Sequence, residues 1–155
     1  MVDISDAKCT NKEQDQIITY SLGSCIGVAV YDSSAKIGGM LHYQLPDSRA
    51  DVEKSKKNPT MYADTGMAYL VKKMIAMGAE KKRMKVKIAG GAQMMNDAKV
   101  FQIGKRNYAA IRQVLWKNGM FIDAESIGGA FARTLSMNMA DGRVCVKAQG
   151  SVTDL

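Results

Sequence analysis

A thiol and an imidazole on one surface can carry out acyl transfer, with the sulfur as nucleophile and the ring as proton carrier. This 155-residue chain holds a single histidine, His42, and three cysteines, Cys9, Cys25 and Cys145. Only Cys25 has a setting that brings the two groups together. The stretches Ile26 to Tyr31 and Lys36 to Tyr43 read as strands flanking the turn cluster Asp32-Ser33-Ser34-Ala35. Symmetric pairing about Ser33-Ser34 sets Asp32 opposite Ala35, Val30 opposite Ile37 and Cys25 opposite His42. Directly opposed residues share a sheet face with Cβ atoms about 4.5 to 5.5 Å apart, the geometry a thiol and its base require. The same face carries Gly27, Ala29 and Gly38, small residues that leave room for a substrate or a closely packed element.

The surroundings of Cys25 supply further parts. The Leu22-Gly23-Ser24-Cys25 turn can expose backbone N–H groups of Ser24 and Cys25, which stabilise a thiolate or hold the oxyanion of an acyl intermediate. No Asp or Glu lies in the adjoining strands to orient His42. Thr19, in the preceding strand, has a hydroxyl oxygen able to accept the second imidazole N–H. Spacing alone leaves another reading open, in which Cys25 is an inert small hydrophobe and His42 a satisfied core residue. A one-residue register slip would send the two side chains to opposite faces.

The elements that must position these residues follow from periodicity. Ile17 to Tyr20 reads as a strand before the turn. Pro46 to Pro59 is polar and reads as a surface loop, either a lid or a connection. Ala63, Met67, Leu70, Val71, Met74 and Ile75 recur at helical spacing within Thr60 to Met77, closed by Gly78. The methionines of that helix read as adaptable core. Met84 to Ala89 alternates as a strand and ends in Gly90-Gly91-Ala92, where a positive φ or a close backbone approach is cheap; no phosphate-loop motif is present. Gly104 to Lys117 is a second helix, and Met120 to Ser126 a strand. Leu135 to Val146 is a hairpin about Asp141-Gly142, expected as a type I′ turn. The sum is one α+β domain over residues 1–155, a layered α/β/β sandwich with mostly antiparallel strands and two main helices.

Composition narrows the function classes. The length suits one folded domain, and 46% hydrophobic with 24% charged residues is ordinary globular usage. No apolar run is long enough to span a membrane and Met1 to Lys12 lacks a signal-peptide core, so a cytoplasmic protein is expected. An odd cysteine count without CxxC, and a lone histidine, indicate neither a disulfide framework nor a metal site. The net charge of +7 suits acidic partners. Lys72, Lys73, Lys81, Lys82, Arg83, Lys85 and Lys87 read as a solvated face, since no nucleic-acid motif accompanies them.

Longer stretches carry a resemblance. Thr19 to Val28 (TYSLGSCIGV), Lys36 to His42 (KIGGMLH) and Leu45-Pro46-Asp47-Ser48 are similar to the signature of the CheD family of chemoreceptor glutamine deamidases. The similarity continues through Tyr62-Ala63-Asp64, Lys87 to Ala92 (KIAGGA), Ile103 to Asn107 (IGKRN), Gly128-Gly129 and Arg133-Thr134. It departs at Ser21, where relatives commonly have glycine, and is weak before Thr19. The resemblance implies a fold like that of bacterial deamidating toxins and a catalytic triad on Cys25, His42 and Thr19, without cofactor or metal. It implies hydrolysis of receptor glutamine side chains, with receptor glutamate methyl esters as a second candidate substrate. The implied partners are the cytoplasmic helices of chemoreceptors (methyl-accepting chemotaxis proteins) and a CheC-type phosphatase. A non-catalytic adaptor that binds receptor or phosphatase is the rival reading. Arg133 receives no chemical role, and structural pairing is expected of it.

Overall fold

The computed structural model describes residues 1–94 and 102–155. Its elements follow in the order β1 (Asp6–Thr10), β2 (Gln16–Leu22), β3 (Ile26–Asp32), β4 (Ile37–Tyr43), α1 (Val52–Lys57), α2 (Ala63–Met77), β5 (Lys85–Gly90), α3 (Ile103–Lys117), β6 (Ile122–Ile127), β7 (Arg133–Asn138), β8 (Arg143–Ala148) and β9 (Ser151–Asp154). One sheet has the order β1-β4-β3-β5-β6 and the other β2-β7-β8-β9. Neighbours are antiparallel except β5 and β6, which α3 joins as a crossover and which therefore run parallel. The α+β class and the layered α/β/β arrangement agree with the sequence expectation. Among the described residues no helix is long and apolar enough to cross a membrane.

Two apolar layers result from the alternation of β3 and β4. Ile26, Val28, Val30, Leu41 and Tyr43 face Leu70 and Met74 of α2 and Ile111 and Leu115 of α3. Ala29 and Met40, on the other face, meet Leu135, Met137, Val144 and Val146 of the second sheet. Both faces of β3 and β4 are thus covered, which explains their nearly uninterrupted burial. The methionines Met67 and Met74 are core residues, as their spacing suggests, whereas Met77 at the end of α2 is exposed.

Four details differ from the sequence expectation. The β3–β4 connection has four residues, Ser33 to Lys36, because Asp32 pairs with Ile37 and Lys36 takes a left-handed φ of 55°. Gly27, and not Cys25, therefore lies opposite His42. The stretch Pro46 to Pro59 is not an open loop: Asp51 caps α1 by accepting from Lys54 N, and Ser48 Oγ bonds Asp64 at 2.6 Å. In the last hairpin Asn138 pairs with Arg143 across four residues, and Gly142 is left-handed while Asp141 instead accepts from Arg143 N, so the turn is not type I′. Finally, β1 and β9 carry no apolar alternation to announce them; both are short edge strands.

Asp32 sets the β3–β4 turn. Its fully buried carboxylate accepts from the N–H groups of Ser34, Ala35 and Glu80 and pairs with Arg83 at 2.9 Å. Burial alone would raise its pKa; the bonds from Arg83, Glu80 and Ala35 outweigh that and hold it at about 2. The folded value lies below the ordinary 3.8, so its stabilisation is complete above that value and is lost as pH falls through about 2. The stability gap between wild type and Asp32→Asn should thus be widest above pH 4 and narrow by about pH 2, read from urea unfolding. A gap that stays constant over this range would show that Asp32 is not ionised in the fold.

Candidate active site

His42 sits in the middle of three strands of the first sheet, flanked by Asp6 of β1 and Gly27 of β3. Its ring points to the second sheet, where Nδ1 lies 2.7 Å from Thr19 Oγ1. Thr19 is fully buried and donates its one hydroxyl proton to the carbonyl oxygen of Val2 at 2.8 Å. The hydroxyl oxygen must then accept from His42 Nδ1–H, which leaves the lone pair on Nε2. That Nε2 is buried and has no hydrogen-bond partner among the described residues. Burial lowers the pKa of His42 to about 4, against a smaller raising influence of Asp3. The ring is therefore neutral at pH 7.

Cys25 immediately precedes β3, two positions from Gly27 and so on the same side of the sheet as His42. Its half-buried side chain packs against the layer between the sheets. The register differs by two residues from the symmetric one, and a shift of two preserves the face. Cys25 is hence a diagonal neighbour of His42 and not its direct opposite. Gly27 lets the second sheet pack closely over this position, since a Cβ there would lie 2.9 Å from Leu22, 3.0 Å from Leu135 and 3.3 Å from Thr19.

The turn carrying Cys25 is held from both ends. Ser21 is left-handed at φ 59°, a conformation that favours glycine. Gly91 N donates to Cys25 O and Ala92 N to Gly23 O, both at 2.9 Å. Gly90 and Gly91 both have positive φ, and a Cβ on Gly90 would collide with the Cys25 carbonyl oxygen. The glycine pair thus cradles the protein's own carbonyls. From α3, buried Asn107 donates from Nδ2 to Ser24 O at 2.9 Å and to Gln44 O at 2.8 Å. Sequence reasoning missed Val2, whose contribution is a backbone carbonyl, and Asn107. The signal for Asn107 was an amide on the apolar stripe of α3, between Gly104 and Ile111.

Arg133 lies opposite Leu22 and bridges the sheets, with Nε donating to Ser126 Oγ at 3.0 Å and the guanidinium over the Phe131 ring. An apolar groove of about 330 Å³ between α2 and α3, lined by Met67, Val71, Ile75 and Val114, lies on the helical side, away from Cys25 and His42.

Residues 44–148 match the family model described as CheD chemotactic sensory transduction. Several relatives extend the match across the chain. The probable chemoreceptor glutamine deamidase CheD 1 of Syntrophus aciditrophicus is 46% identical over 150 residues, covering 97% of this chain and 94% of that protein. The corresponding protein of Solibacter usitatus is 43% identical over 155 residues, covering 100% and 92%. The one from Methanococcus maripaludis is 41% identical over 127 residues, covering 81% and 80%. The chain belongs to the CheD family. The family model begins two residues after His42, so the two long alignments are what carry the family through Thr19, Cys25 and His42.

The other two thiols of this CheD family member are held protonated. Burial raises the pKa of Cys9, with Lys73 opposing, and Cys145 is raised by its bond to Asp154 at 3.2 Å and by burial. Iodoacetamide should consequently alkylate Cys25 ahead of both under native conditions, as read by peptide mass spectrometry over time. Equal rates at all three would show that nothing activates Cys25.

Proposed function

We propose that this protein hydrolyses the carboxamide of glutamine side chains on chemoreceptors, with Cys25 as nucleophile, His42 as proton carrier and Thr19 as the group that orients His42. The observation that carries the reading is the relay from His42 Nδ1–H to Thr19 Oγ1 to Val2 O, which keeps a buried Nε2 lone pair on the face shared with Cys25. The names of the relatives supply the reaction and the receptor substrate. In the first half, Nε2 takes the Cys25 proton as sulfur attacks the amide carbon. The backbone N–H groups of Cys25 and Ser24 hold the oxyanion. The intermediate collapses as Nε2–H protonates the leaving nitrogen; ammonia departs and a thioester remains. In the second half, water gives a proton to Nε2 and attacks the thioester carbon, and the sulfur leaves as a thiol, freeing glutamate.

A receptor glutamate methyl ester fits the same cycle, with methanol leaving in place of ammonia. The reading places the protein in the cytoplasm, where receptor helices are accessible and its net charge of +7 steers it to acidic surfaces. The CheC-type phosphatase implied by the resemblance would be a regulatory partner. A purely binding adaptor has no use for an imidazole fixed in one tautomer with a buried, unpartnered nitrogen.

Co-expression with a receptor cytoplasmic fragment tests this by mass spectrometry. Each deamidation adds about one dalton, and the gain should disappear with Cys25→Ala and with His42→Ala. An unchanged gain with Cys25→Ala would overturn the mechanism. Thr19 touches no reacting atom, and the bond it makes to His42 is worth roughly 0.5 to 1.5 kcal/mol net. Thr19→Ala should therefore lower turnover about tenfold, less than either other substitution, and Thr19→Ser should keep most of it. A loss in Thr19→Ala as deep as in Cys25→Ala, with circular dichroism unchanged, would assign Thr19 more than orientation.

A further inference from the structure

Asn107 has an arrangement that packing does not explain. It is fully buried on the inner face of α3, and Nδ2 spends both protons on carbonyls from separate parts of the chain. One belongs to Ser24, immediately before Cys25; the other belongs to Gln44, two residues after His42. The main-chain oxygen of Asn107 accepts from Tyr43 Oη at 2.6 Å, adding a third tie next to His42. The reverse amide orientation would point oxygen at two carbonyl oxygens, so the neighbours fix the assignment. In this orientation Oδ1 is buried without a partner among the described residues, a penalty an apolar side chain would avoid.

The consequence lies in the Ser24–Cys25 peptide. A peptide unit is planar and trans, so its C=O and N–H point in opposite directions. Drawing the Ser24 carbonyl toward α3 turns the Cys25 N–H away from the helices, to the side where the Cys25 side chain packs against the layer between the sheets. We infer that Asn107 is a positioning residue that orients the Ser24–Cys25 peptide so that its N–H meets the oxyanion formed on the substrate amide. The inference rests on the deamidase reading above and adds a residue to it. Gly91 N and Ala92 N hold the neighbouring carbonyls of Cys25 and Gly23, so the Ser24 carbonyl is the one in this turn that a side chain must hold.

The test separates thiol reactivity from oxyanion stabilisation in the full-length protein. Alkylation of Cys25 by iodoacetamide forms no oxyanion, whereas deamidation of the receptor fragment does. Asn107→Ala should lower kcat about 10²-fold, while KM and the rate of Cys25 alkylation across pH 6 to 9 stay within about threefold of wild type. Asn107→Ser, which retains one donor, should fall between. Unchanged kcat in both variants would overturn the inference, as would a parallel fall of kcat and alkylation rate. Alkylation of Cys9 and Cys145 in the same samples reports the folded fraction; if Asn107→Ala is unfolded by that measure, the kcat-to-alkylation split in Asn107→Ser decides in the same terms. Wild type that fails to deamidate, or that is unaffected by Cys25→Ala, overturns the deamidase reading itself. Active wild type with fully active Asn107 variants overturns only the role of Asn107.

Discussion

The hydrogen bond between His42 Nδ1 and Thr19 Oγ1 spans two sheets, and much of the surrounding structure serves the separation it needs. Facing sheets ordinarily pack about 10 Å apart, a gap that two medium side chains fill. A histidine and a threonine meet at 2.7 Å only if their neighbours stay out of the way. Gly27, directly across from His42, does so by having no side chain while Leu22, Leu135 and Thr19 occupy the space its Cβ would take. The second sheet also supplies the acceptor for the Thr19 proton indirectly, since Val2 N is bonded to Ile18 O and this anchors the Val2 carbonyl beside Thr19.

His42 contacts a hydroxyl, Thr19 Oγ1, and its ring is buried. Burial holds the imidazole neutral at physiological pH, against the smaller opposing influence of Asp3. In the proposed chemistry, charge develops on sulfur, ring and oxyanion only as the reaction proceeds. Backbone N–H groups preorganised around Cys25 then matter more than a preformed ion pair, because they need no rearrangement when the charge appears. The Cys25 turn is accordingly held by β5 through Gly91 and Ala92 and by α3 through Asn107.

The layers differ in how directly they bear on the site. The helix-facing core of Val28, Leu41, Leu70 and Leu115 makes β3 and β4 a rigid platform. The strands β1 and β9 each form one edge of a sheet, and the capped α1 segment lies in the connection from β4 to α2. The basic residues near α2 are partly engaged in structural pairs, as with Arg83 on Asp32 and Glu80.

Local patterns were readable from the chain alone. Alternation in β3 and β4, helical spacing in α2 and α3, and the small residues Gly27, Ala29 and Gly38 placed Cys25 and His42 on one face of one hairpin, because side-chain direction in a strand has a period of two. The exact register was not readable, since Asp32 closes the turn with partners at Glu80 and Arg83 that lie far along the sequence. Thr19 could be named from its chemistry, but its contact with His42 depends on two sheets packing across a glycine. Which imidazole nitrogen carries the proton was decided only when the Val2 carbonyl took the hydroxyl proton of Thr19, and the tilt of the Cys25 peptide only when Asn107 took the Ser24 carbonyl. Residue types and periodicity thus determined the face and the candidates; hydrogen bonds between distant segments decided orientation, because a bond's direction is set by where its partner is brought in space.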